Sequence, residues 1–379
     1  VPAIRKFFLP HFVTTLMRPF IPGAKQTGDM QNPLKTDIPE TLDLMRHGVP
    51  LVDVRTPAEF EKGHIPGAIN LPLFSNEERH QVGLTYKQEG REAAVLLGLQ
   101  LVGPRLAELG NRAGQIAPQR RIVLHCWRGG MRSASVGWLL QQLRYEVFLI
   151  DGGYKSFRHW VLARLEEPRT LLILSGATGT GKTDILQELG HLGESVIDLE
   201  ALAHHKGSAF GALGEEPEPT QEHFENLLGK SLAGIPTAQR LWLEDESRRI
   251  GRRNIPQPFW LQMRAAPVIC LDLSREHRRD RLVEDYGHFA TTDLLEAINT
   301  LKKRLGGQRH KEVAEALVSG DLESCITLLL EHYYDPAYRY GLGRRESEIV
   351  VEMPCDSPDP AENARIALKG LERLQEIIP

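Results

Sequence analysis

Leu124-His125-Cys126-Trp127-Arg128-Gly129-Gly130-Met131-Arg132-Ser133 is the stretch that decides the fold of the first half of this chain. The β-branched and apolar residues before Cys126 are typical of a buried strand, and an amphipathic helix pattern runs over 131–143. Cys126 therefore lies where a strand ends and a helix begins, a place where backbone N–H groups and the helix dipole stabilise an anion. Two glycines let the loop curl, and Arg128 and Arg132 add positive charge that favours a thiolate. The stretch predicts a reactive thiol in an anion-binding loop.

The second half contains Gly176-Ala177-Thr178-Gly179-Thr180-Gly181-Lys182-Thr183. The apolar run 171–175 before it predicts a strand, and a helix pattern opens at Lys182, which is the context that a phosphate-binding loop requires. Backbone N–H groups would surround a diphosphate, Lys182 would pair with its outer oxygens, and Thr183 is a candidate ligand for Mg²⁺. The residues predicted to bind the diphosphate are Gly176, Gly179, Thr180, Gly181, Lys182 and Thr183.

Short apolar strands alternate with helix patterns along both halves, which is typical of parallel α/β sheets. Thr56 and Pro57, after the predicted strand 51–55, supply a helix cap and a proline at the first helical position. Glu166-Glu167-Pro168 interrupts the helix pattern between the halves. We therefore predict an α/β chain with a parallel-sheet domain at 38–160 and a P-loop NTPase-like domain with a helical, basic C-terminal part at 161–379. We interpret residues 1–37 as an extension or leader, with Met30 as a natural start.

Composition is that of an ordinary globular protein, with 41% hydrophobic and 25% charged residues. No run of 18 or more apolar residues occurs, so we expect no membrane partner and a cytoplasmic protein. The net charge of −4 gives no global reason to expect a nucleic acid, although a local basic face would allow one. Neither a disulfide framework nor a zinc site is indicated by the widely spaced cysteines, Cys126, Cys270, Cys325 and Cys355.

Three carboxylates near predicted strand ends are candidates for orienting a metal or the substrate. Asp198 and Glu200 end the predicted strand 195–200, and Asp272 follows the apolar run 268–271. Ligands of open α/β sheets bind at the carboxyl ends of the strands. A helix cap or a surface acid is the alternative role for each carboxylate.

Basic residues cluster downstream of the phosphate loop, and a run of tyrosines follows them. Solvated helix faces usually explain such clusters, and the interleaved acids agree with that explanation. The tyrosine-rich stretch 333–340 nevertheless places stacking surfaces close to positive charge, a composition that single-stranded RNA recognition uses. The candidate RNA contacts are Arg248, Arg249, Arg252, Arg253, Tyr338 and Arg339.

Residues 41–160 resemble the rhodanese family. The resemblance is carried by Asp53-Val54-Arg55, by Glu59-Phe60-Glu61-Lys62-Gly63-His64-Ile65-Pro66-Gly67-Ala68-Ile69-Asn70-Leu71-Pro72, and by the cysteine loop. In that family the loop cysteine carries a transferred sulfur as a persulfide, which implies that Cys126 is the carrier. The spacing from Cys126 to Arg132 is longer than in sulfurtransferases and is similar to that of related phosphatases, so the loop fits a bulkier tetrahedral oxyanion.

Three polar residues of the rhodanese-like motif receive structural interpretations. His64 lies in a stretch punctuated by glycine and proline, which favours a turn residue over a catalytic base. We interpret Asp53 and Arg55 as scaffold residues.

The two motifs together resemble the bacterial tRNA 2-selenouridine synthase family, from about residue 38 to the C-terminus. The runs 198–211 and 244–248 add to the resemblance. It implies that 2-thiouridine at the wobble position of a tRNA is first S-geranylated from geranyl diphosphate, and that selenium from selenophosphate then replaces the geranylthio group. The diphosphate would bind at Lys182 and the selenophosphate oxyanion at Arg128 and Arg132, with Cys126 acting as a selenium-bound thiolate.

Two other functions stay open. The first is an ATP-dependent sulfurtransferase or phosphatase-kinase fusion acting on a small molecule, which steady ATP turnover without tRNA would favour. The second is a non-catalytic RNA-binding adaptor, which the intact Cys126 disfavours. A geranyl tail needs an apolar pocket, and the aromatic residues considered for it are equally suited to ordinary core packing: Phe210, Phe224, Trp242, Phe259 and Trp260.

Overall fold

The computed structural model describes residues 32–343 and 350–377 and contains two five-stranded parallel sheets. This arrangement confirms the predicted α/β class with parallel sheets in both halves. Most of the predicted leader, residues 1–31, lies outside the described residues.

The strands of the first sheet are, along the chain, β1 (Leu34–Thr36), β2 (Leu51–Asp53), β3 (Ile69–Asn70), β4 (Arg121–His125) and β5 (Glu146–Ile150). Their spatial order is β1-β5-β4-β2-β3, and every neighbouring pair is parallel. Because β4 is the central strand, the loop that follows it opens at the middle of the carboxyl edge of the sheet.

The helices of this half are α1 (Ile38–Arg46), α2 (Pro57–Lys62), α3 (Asn76–Gln88), α4 (Arg91–Val102), α5 (Leu106–Ile116), α6 (Met131–Gln142) and α7 (Gly153–Glu166). The predicted cap of α2 is confirmed, because the Thr56 hydroxyl accepts from the Glu59 N–H and the Glu59 carboxylate accepts from the Thr56 N–H. This capping box fixes the chain direction after β2.

The strands of the second half are β6 (Leu171–Gly176), β7 (Ser195–Val196), β8 (Leu241–Glu244), β9 (Arg249–Ile250), β10 (Arg253–Asn254), β11 (Val268–Leu273) and β12 (Val350–Cys355). The parallel sheet has the order β12-β11-β6-β8-β7, and β9 and β10 form a separate antiparallel pair. The central position of β6 puts the glycine-rich loop at the middle of the sheet edge.

The remaining helices are α8 (Lys182–His191), α9 (Leu199–Ala203), α10 (Gln221–Ala233), α11 (Gln257–Ala265), α12 (Arg275–Tyr286), α13 (Thr291–Thr300), α14 (Lys302–Leu305), α15 (Gly307–Val318), α16 (Leu322–Leu329), α17 (Asp335–Leu342) and α18 (Pro360–Ile377). A π-helical turn, Leu330–Tyr334, joins α16 to α17. Helices α13, α15 and α16 pack around a core of their own, which includes Ile298, Val313 and Leu329.

The largest core is shared by the two halves through α7. Phe157 and Val161 of this helix are fully buried, in a cluster that also contains Ile150 of the first sheet and Ile173 and Phe224 of the second half. Burying a side chain of this size contributes about 1.5–3 kcal/mol. The helix that the sequence places at the domain boundary is therefore part of a common core.

Two segments differ from the sequence prediction. Leu34–Thr36, inside the predicted leader, pairs with β5 as an edge strand. Only Thr36 of this strand is buried, so its sequence has no alternation of apolar and polar residues that would predict a strand. The predicted strand 195–200 stops at Val196, because the Asp198 carboxylate accepts the Ala201 N–H and begins α9. A strong local cap therefore overrides the apolar run.

One helical stretch among the described residues, Arg91–Ile116, is long and apolar enough by length and composition to cross a membrane. It consists of α4, a short 3-10 turn (Gly103–Arg105) and α5. The stretch contains Arg105 and Glu108, so it is not an uninterrupted apolar run.

Candidate functional site

Cys126 lies directly after β4, at the centre of the first sheet. Its side chain is 3% exposed, and its Sγ lies 3.3 Å from the Ser133 Oγ. Because Ser133 is in the first turn of α6, the thiol is close to the N-terminus of that helix. The sulfur thus lies at a helix N-terminus, a place where backbone N–H groups stabilise a bound anion.

The backbone N–H groups of the loop after Cys126 are not used in secondary structure. No backbone hydrogen bond among the described residues is donated by the N–H groups of residues 127–130. Close packing shapes the loop, since a Cβ on Gly153 would lie 2.4 Å from both the Cys126 O and the Gly129 N. The Tyr154 N–H donates to the Cys126 O at 2.9 Å, so the start of α7 supports the loop. Such N–H groups suit an oxyanion.

The two predicted loop arginines have different surroundings. Arg132 forms a two-pronged ion pair with Glu59, at 2.6 and 3.1 Å, whereas Arg128 is exposed. Burial opposes ionisation of Glu59, but the hydrogen bond and charge of Arg132 outweigh it and hold the pKa of the carboxyl below its ordinary value. Arg132 therefore supports the loop through Glu59, and its contact with an oxyanion stays a prediction.

A buried charged network lies behind the loop. Arg55 Nη2 is 2.6 Å from Asp53 Oδ2, and the guanidinium lies 3.8 Å from the ring centroid of Tyr154. Arg55 also donates to the Gly63 O at 2.8 Å, and Asp53 Oδ2 is 3.7 Å from His125 Nε2. These are scaffold contacts, as the sequence predicts for Asp53 and Arg55.

His64 contacts the second half of the chain, which the sequence reasoning missed. Its ring stacks on Phe60 at 3.8 Å and lies 4.0 Å from the ring of His223 on α10. Burial lowers the pKa of both histidines, to about 4 for His223. The Tyr154 hydroxyl donates to Glu222 at 2.8 Å in the same interface. The turn that contains His64 is therefore packed on α10. His64 and His223 lie far apart along the chain, so the sequence does not reveal this contact.

The predicted phosphate loop follows β6 and curls as its glycines require. Gly179 and Gly181 have φ angles of +89° and +79°, which favour glycine. The Thr180 hydroxyl donates to a loop carbonyl at 2.6 Å, and Lys182 Nζ donates to the Gly176 O at 3.3 Å. The lysine is thus folded back across the loop at the N-terminus of α8, where a phosphate group would be bound.

Three carboxylates meet beside this loop: Glu200 of α9, Glu244 at the end of β8, and Glu246. Their oxygens lie within 4.8 Å of one another, and the Thr183 hydroxyl donates to Glu200 at 3.4 Å. Burial raises the pKa of all three carboxyls, and repulsion from neighbouring carboxylates adds to the rise, while the charge of Lys182 opposes it. A divalent cation would relieve this repulsion, and the oxygen donors fit Mg²⁺.

Of the carboxylates predicted to orient a metal or substrate, only Glu200 is in this cluster. Asp198 accepts the Ala201 N–H at 2.8 Å as the cap of α9, and Asp272 is exposed on β11. Asp198 is therefore a helix cap and Asp272 a surface acid, which are the alternative roles given for them above. Glu244 and Glu246 were missed, although an apolar strand ending in acids is the same signal that we applied elsewhere.

Two arginines of α12 lie against the phosphate loop. Arg278 donates to the Thr178 O at 3.0 Å. The guanidinium of Arg281 would lie 2.6 Å from a Cβ placed on Gly181. The same guanidinium forms an ion pair with Asp184 of α8. From the sequence they are part of the basic cluster downstream of the phosphate loop, because helix periodicity does not show which face meets a distant loop.

The predicted arginine contacts for tRNA lie around the β9–β10 pair. Arg248, Arg249 and Arg252 are exposed. Arg253 is half-buried and pairs with Glu218 at 3.2 Å. The three exposed arginines are therefore available to a phosphate backbone, whereas Arg253 stabilises the local structure.

Tyr338 is placed inside the second half. Its hydroxyl lies 3.1 Å from the Ser175 Oγ and 3.0 Å from the Cys270 Sγ. This position does not support the predicted stacking on a base, since the phenol reaches the strands behind the phosphate loop. Arg339, its neighbour, is exposed.

Comparisons with known proteins agree with this two-part architecture. A family model described as a rhodanese-like domain matches residues 38–159, and one described as the tRNA 2-selenouridine synthase AAA domain matches residues 169–357. A tRNA 2-selenouridine synthase from Shewanella loihica is 36% identical over 82% of this chain and 91% of its own length. The chain belongs to the tRNA 2-selenouridine synthase family. Another member, from Marinobacter nauticus, is 37% identical over 84% of this chain and 95% of its own length.

The chain is thus an enzyme of the tRNA 2-selenouridine synthase type. Cys126 lies in the rhodanese-like match, and Lys182 and the carboxylate cluster lie in the AAA match. Among solved structures, a gluconokinase from Sinorhizobium meliloti is 17% identical over 55% of this chain and 97% of its own length, with a TM-score of 0.25.

Proposed function

We propose that this enzyme converts 2-thiouridine at the wobble position of a tRNA to 2-selenouridine, through an S-geranylated intermediate. Geranyl diphosphate and selenophosphate are the co-substrates in this proposal. The observation that carries it is the presence, on one shared core, of a buried thiol in a loop of N–H donors and of a phosphate loop beside three carboxylates. Each loop suits one of the two anionic co-substrates.

The first step takes place at the phosphate loop. The sulfur of 2-thiouridine attacks the C1 carbon of geranyl diphosphate, the C–O bond breaks, and diphosphate leaves. Lys182 and the backbone N–H groups of the loop stabilise the charge on the leaving group, which lowers the barrier. Glu200, Glu244 and Glu246 would hold Mg²⁺, and the ion would add positive charge near the diphosphate.

The second step takes place at the thiol loop. The selenium of selenophosphate attacks C2 of the S-geranylated base and displaces geranylthiol. Water then cleaves the P–Se bond, which releases phosphate and leaves 2-selenouridine. The N–H groups of the loop and Arg128 bind the oxyanion, and Cys126 contacts the selenium.

The exposed arginines Arg248, Arg249 and Arg252 are the surface that we propose for the tRNA backbone, together with Arg339. Guanidinium groups bind phosphate oxygens in a fixed geometry and position the nucleic acid without reading its sequence. We place the reaction in the cytoplasm, where tRNA is available.

Nucleoside mass spectrometry tests the proposal. The purified chain is incubated with tRNA that contains 2-thiouridine, first with geranyl diphosphate and then with selenophosphate. We expect S-geranyl-2-thiouridine after the first addition and 2-selenouridine after the second. Unmodified tRNA together with steady ATP hydrolysis would instead favour a nucleotide-dependent enzyme acting on a small molecule.

A further inference from the structure

Helix α12 lies directly across the phosphate loop, and two glycines of the loop leave room for it. A Cβ on Gly179 would lie 2.7 Å from the Arg278 O. A Cβ on Gly181 would lie 2.6 Å from Nη1 and 2.9 Å from Cζ of Arg281. Because Gly181 immediately precedes α8, the guanidinium of Arg281 lies beside the N-terminus of that helix. This is the end of α8 at which the loop would bind a phosphate group.

The guanidinium of Arg281 has hydrogen-bonding capacity left on the side that faces the loop. Its Nη2 donates to Asp184 Oδ2 in the first turn of α8, and its Nε lies 3.7 Å from Asp285 Oδ2. Nη1, the guanidinium nitrogen next to Gly181, donates no hydrogen bond to any residue that the structure describes. A guanidinium has five N–H donors and no acceptor, so Nη1 can still bind an oxyanion.

Positive charge is concentrated at this end of α8. The partial positive charge of the helix N-terminus adds to the charges of Lys182 and Arg281. In the protein alone, Lys182 is balanced by the carboxylate cluster, and Arg281 is balanced mainly by Asp184. A diphosphate in the loop would compete with Asp184 for Arg281, because it carries more negative charge and accepts in the two-pronged geometry that a guanidinium favours.

Two neighbouring arginines of α12 have structural contacts instead. Arg278 is only 7% exposed and donates to the Thr178 O at 3.0 Å, so it anchors the helix on the loop. Arg279 turns to another helix, where it pairs with Glu323 of α16 at 2.9 Å. Of these three arginines, Arg281 is the one that both contacts the loop and is accessible to a ligand, with 23% of its side chain exposed.

We propose that Arg281 binds the diphosphate of the prenyl co-substrate together with Lys182, exchanging Asp184 for the phosphate oxygens. This role rests on the proposed function and adds a residue that contacts the leaving group. As the sulfur of 2-thiouridine bonds to C1 and the C1–O bond breaks, the electron pair of that bond stays on the diphosphate, and the N3 proton of the base goes to solvent. Arg281 stabilises the charge on the diphosphate and forms no covalent bond.

Calorimetry of inorganic pyrophosphate binding to the full chain, in the presence of Mg²⁺, tests this role. Arg281→Gln should bind pyrophosphate at least tenfold more weakly than the parent, because a charge-assisted pair is lost. Asp184→Asn should bind it at least as tightly as the parent, because the carboxylate no longer competes for Arg281. Arg279→Gln is the matched control, since Arg279 is on the same helix and is 27% exposed; we expect unchanged binding.

The two sides of the ion pair separate a ligand contact from a structural one. An ion pair that only stabilises the fold would weaken pyrophosphate binding whichever partner is replaced, so weaker binding by Asp184→Asn overturns the proposed role. Unchanged binding by Arg281→Gln overturns it as well. If the variants behave as expected but the parent forms no S-geranyl-2-thiouridine, the proposed function fails while the diphosphate contact of Arg281 stands.

Discussion

Single residues shape the thiol loop through backbone contacts that leave no room for a side chain. Gly153 has a φ of +60°, and a Cβ there would meet the Cys126 O and the Gly129 N at 2.4 Å. Gly153→Ala should therefore displace the loop and lower the rate of the selenium step more than tenfold. The rate is measured with tRNA that already carries S-geranyl-2-thiouridine.

Gly48→Ala is the matched control for backbone strain. Its φ is +79°, but no atom lies within 4 Å of the Cβ position. We expect a loss of about 1 kcal/mol in the free energy of unfolding and no change in the selenium step. Equal selenation rates in the two variants would show that the packing around Gly153 is irrelevant to the site.

The carboxylate cluster makes a second prediction at this scale. Glu244→Gln replaces one of the three carboxylates whose oxygens lie within 4.8 Å of one another. Because an amide is a weaker ligand for Mg²⁺ than a carboxylate, Mg²⁺-dependent binding of pyrophosphate should weaken at least tenfold. Asp272→Asn is the control, because that carboxylate is exposed and outside the cluster. Calorimetry with and without Mg²⁺ measures the difference; a larger loss in the Asp272 variant would contradict the assignment.

Among the secondary-structure elements, α10 connects the two halves through a histidine contact that depends on pH. His223 packs on His64, and His204 also lies close enough to affect its charge. Burial holds the pKa of His223 at about 4, below its ordinary value, so the unfolded chain binds the proton more tightly. The contribution of neutral, buried His223 to the free energy of unfolding is therefore complete above about pH 6.5 and is lost as pH falls toward 4.

His223→Phe should reduce this pH dependence, because the ring can still stack but cannot be protonated. We expect the melting temperature of the variant to fall less than that of the parent between pH 7.5 and pH 5. His191→Phe, at an exposed histidine, should leave the slope unchanged. If the melting temperatures of the parent and the His223 variant fall equally with pH, His223 does not cause the pH dependence.

Elements with a strong local signal were predictable. Apolar strands before glycine-rich loops, and the cap at Thr56, follow from propensity and hydrogen-bond geometry. The edge strand Leu34–Thr36 was missed because an edge strand with one buried residue has no pattern, and the strand at 195–200 was overextended because a cap competed with it. Glu244 and Glu246 were missed although their signal was present.

At the scale of the whole molecule, the two halves share a core that no local pattern reveals. Phe157, Val161 and Leu165 of α7 are buried between the first sheet and the helices of the second half. Contacts such as His64 with His223 join residues far apart in the chain, so they depend on the finished fold. The sequence therefore predicted both loops, while their distant partners Glu59 and Arg281 required the structure.

The central claim is that the two loops perform successive steps on one tRNA. Nucleoside mass spectrometry of Cys126→Ser and Lys182→Ala tests it most directly. Cys126→Ser should accumulate S-geranyl-2-thiouridine without 2-selenouridine, while Lys182→Ala should leave 2-thiouridine unmodified yet still selenate tRNA that was geranylated beforehand. Full selenation by the Cys126 variant, or loss of only the geranylation step in it, would contradict the account.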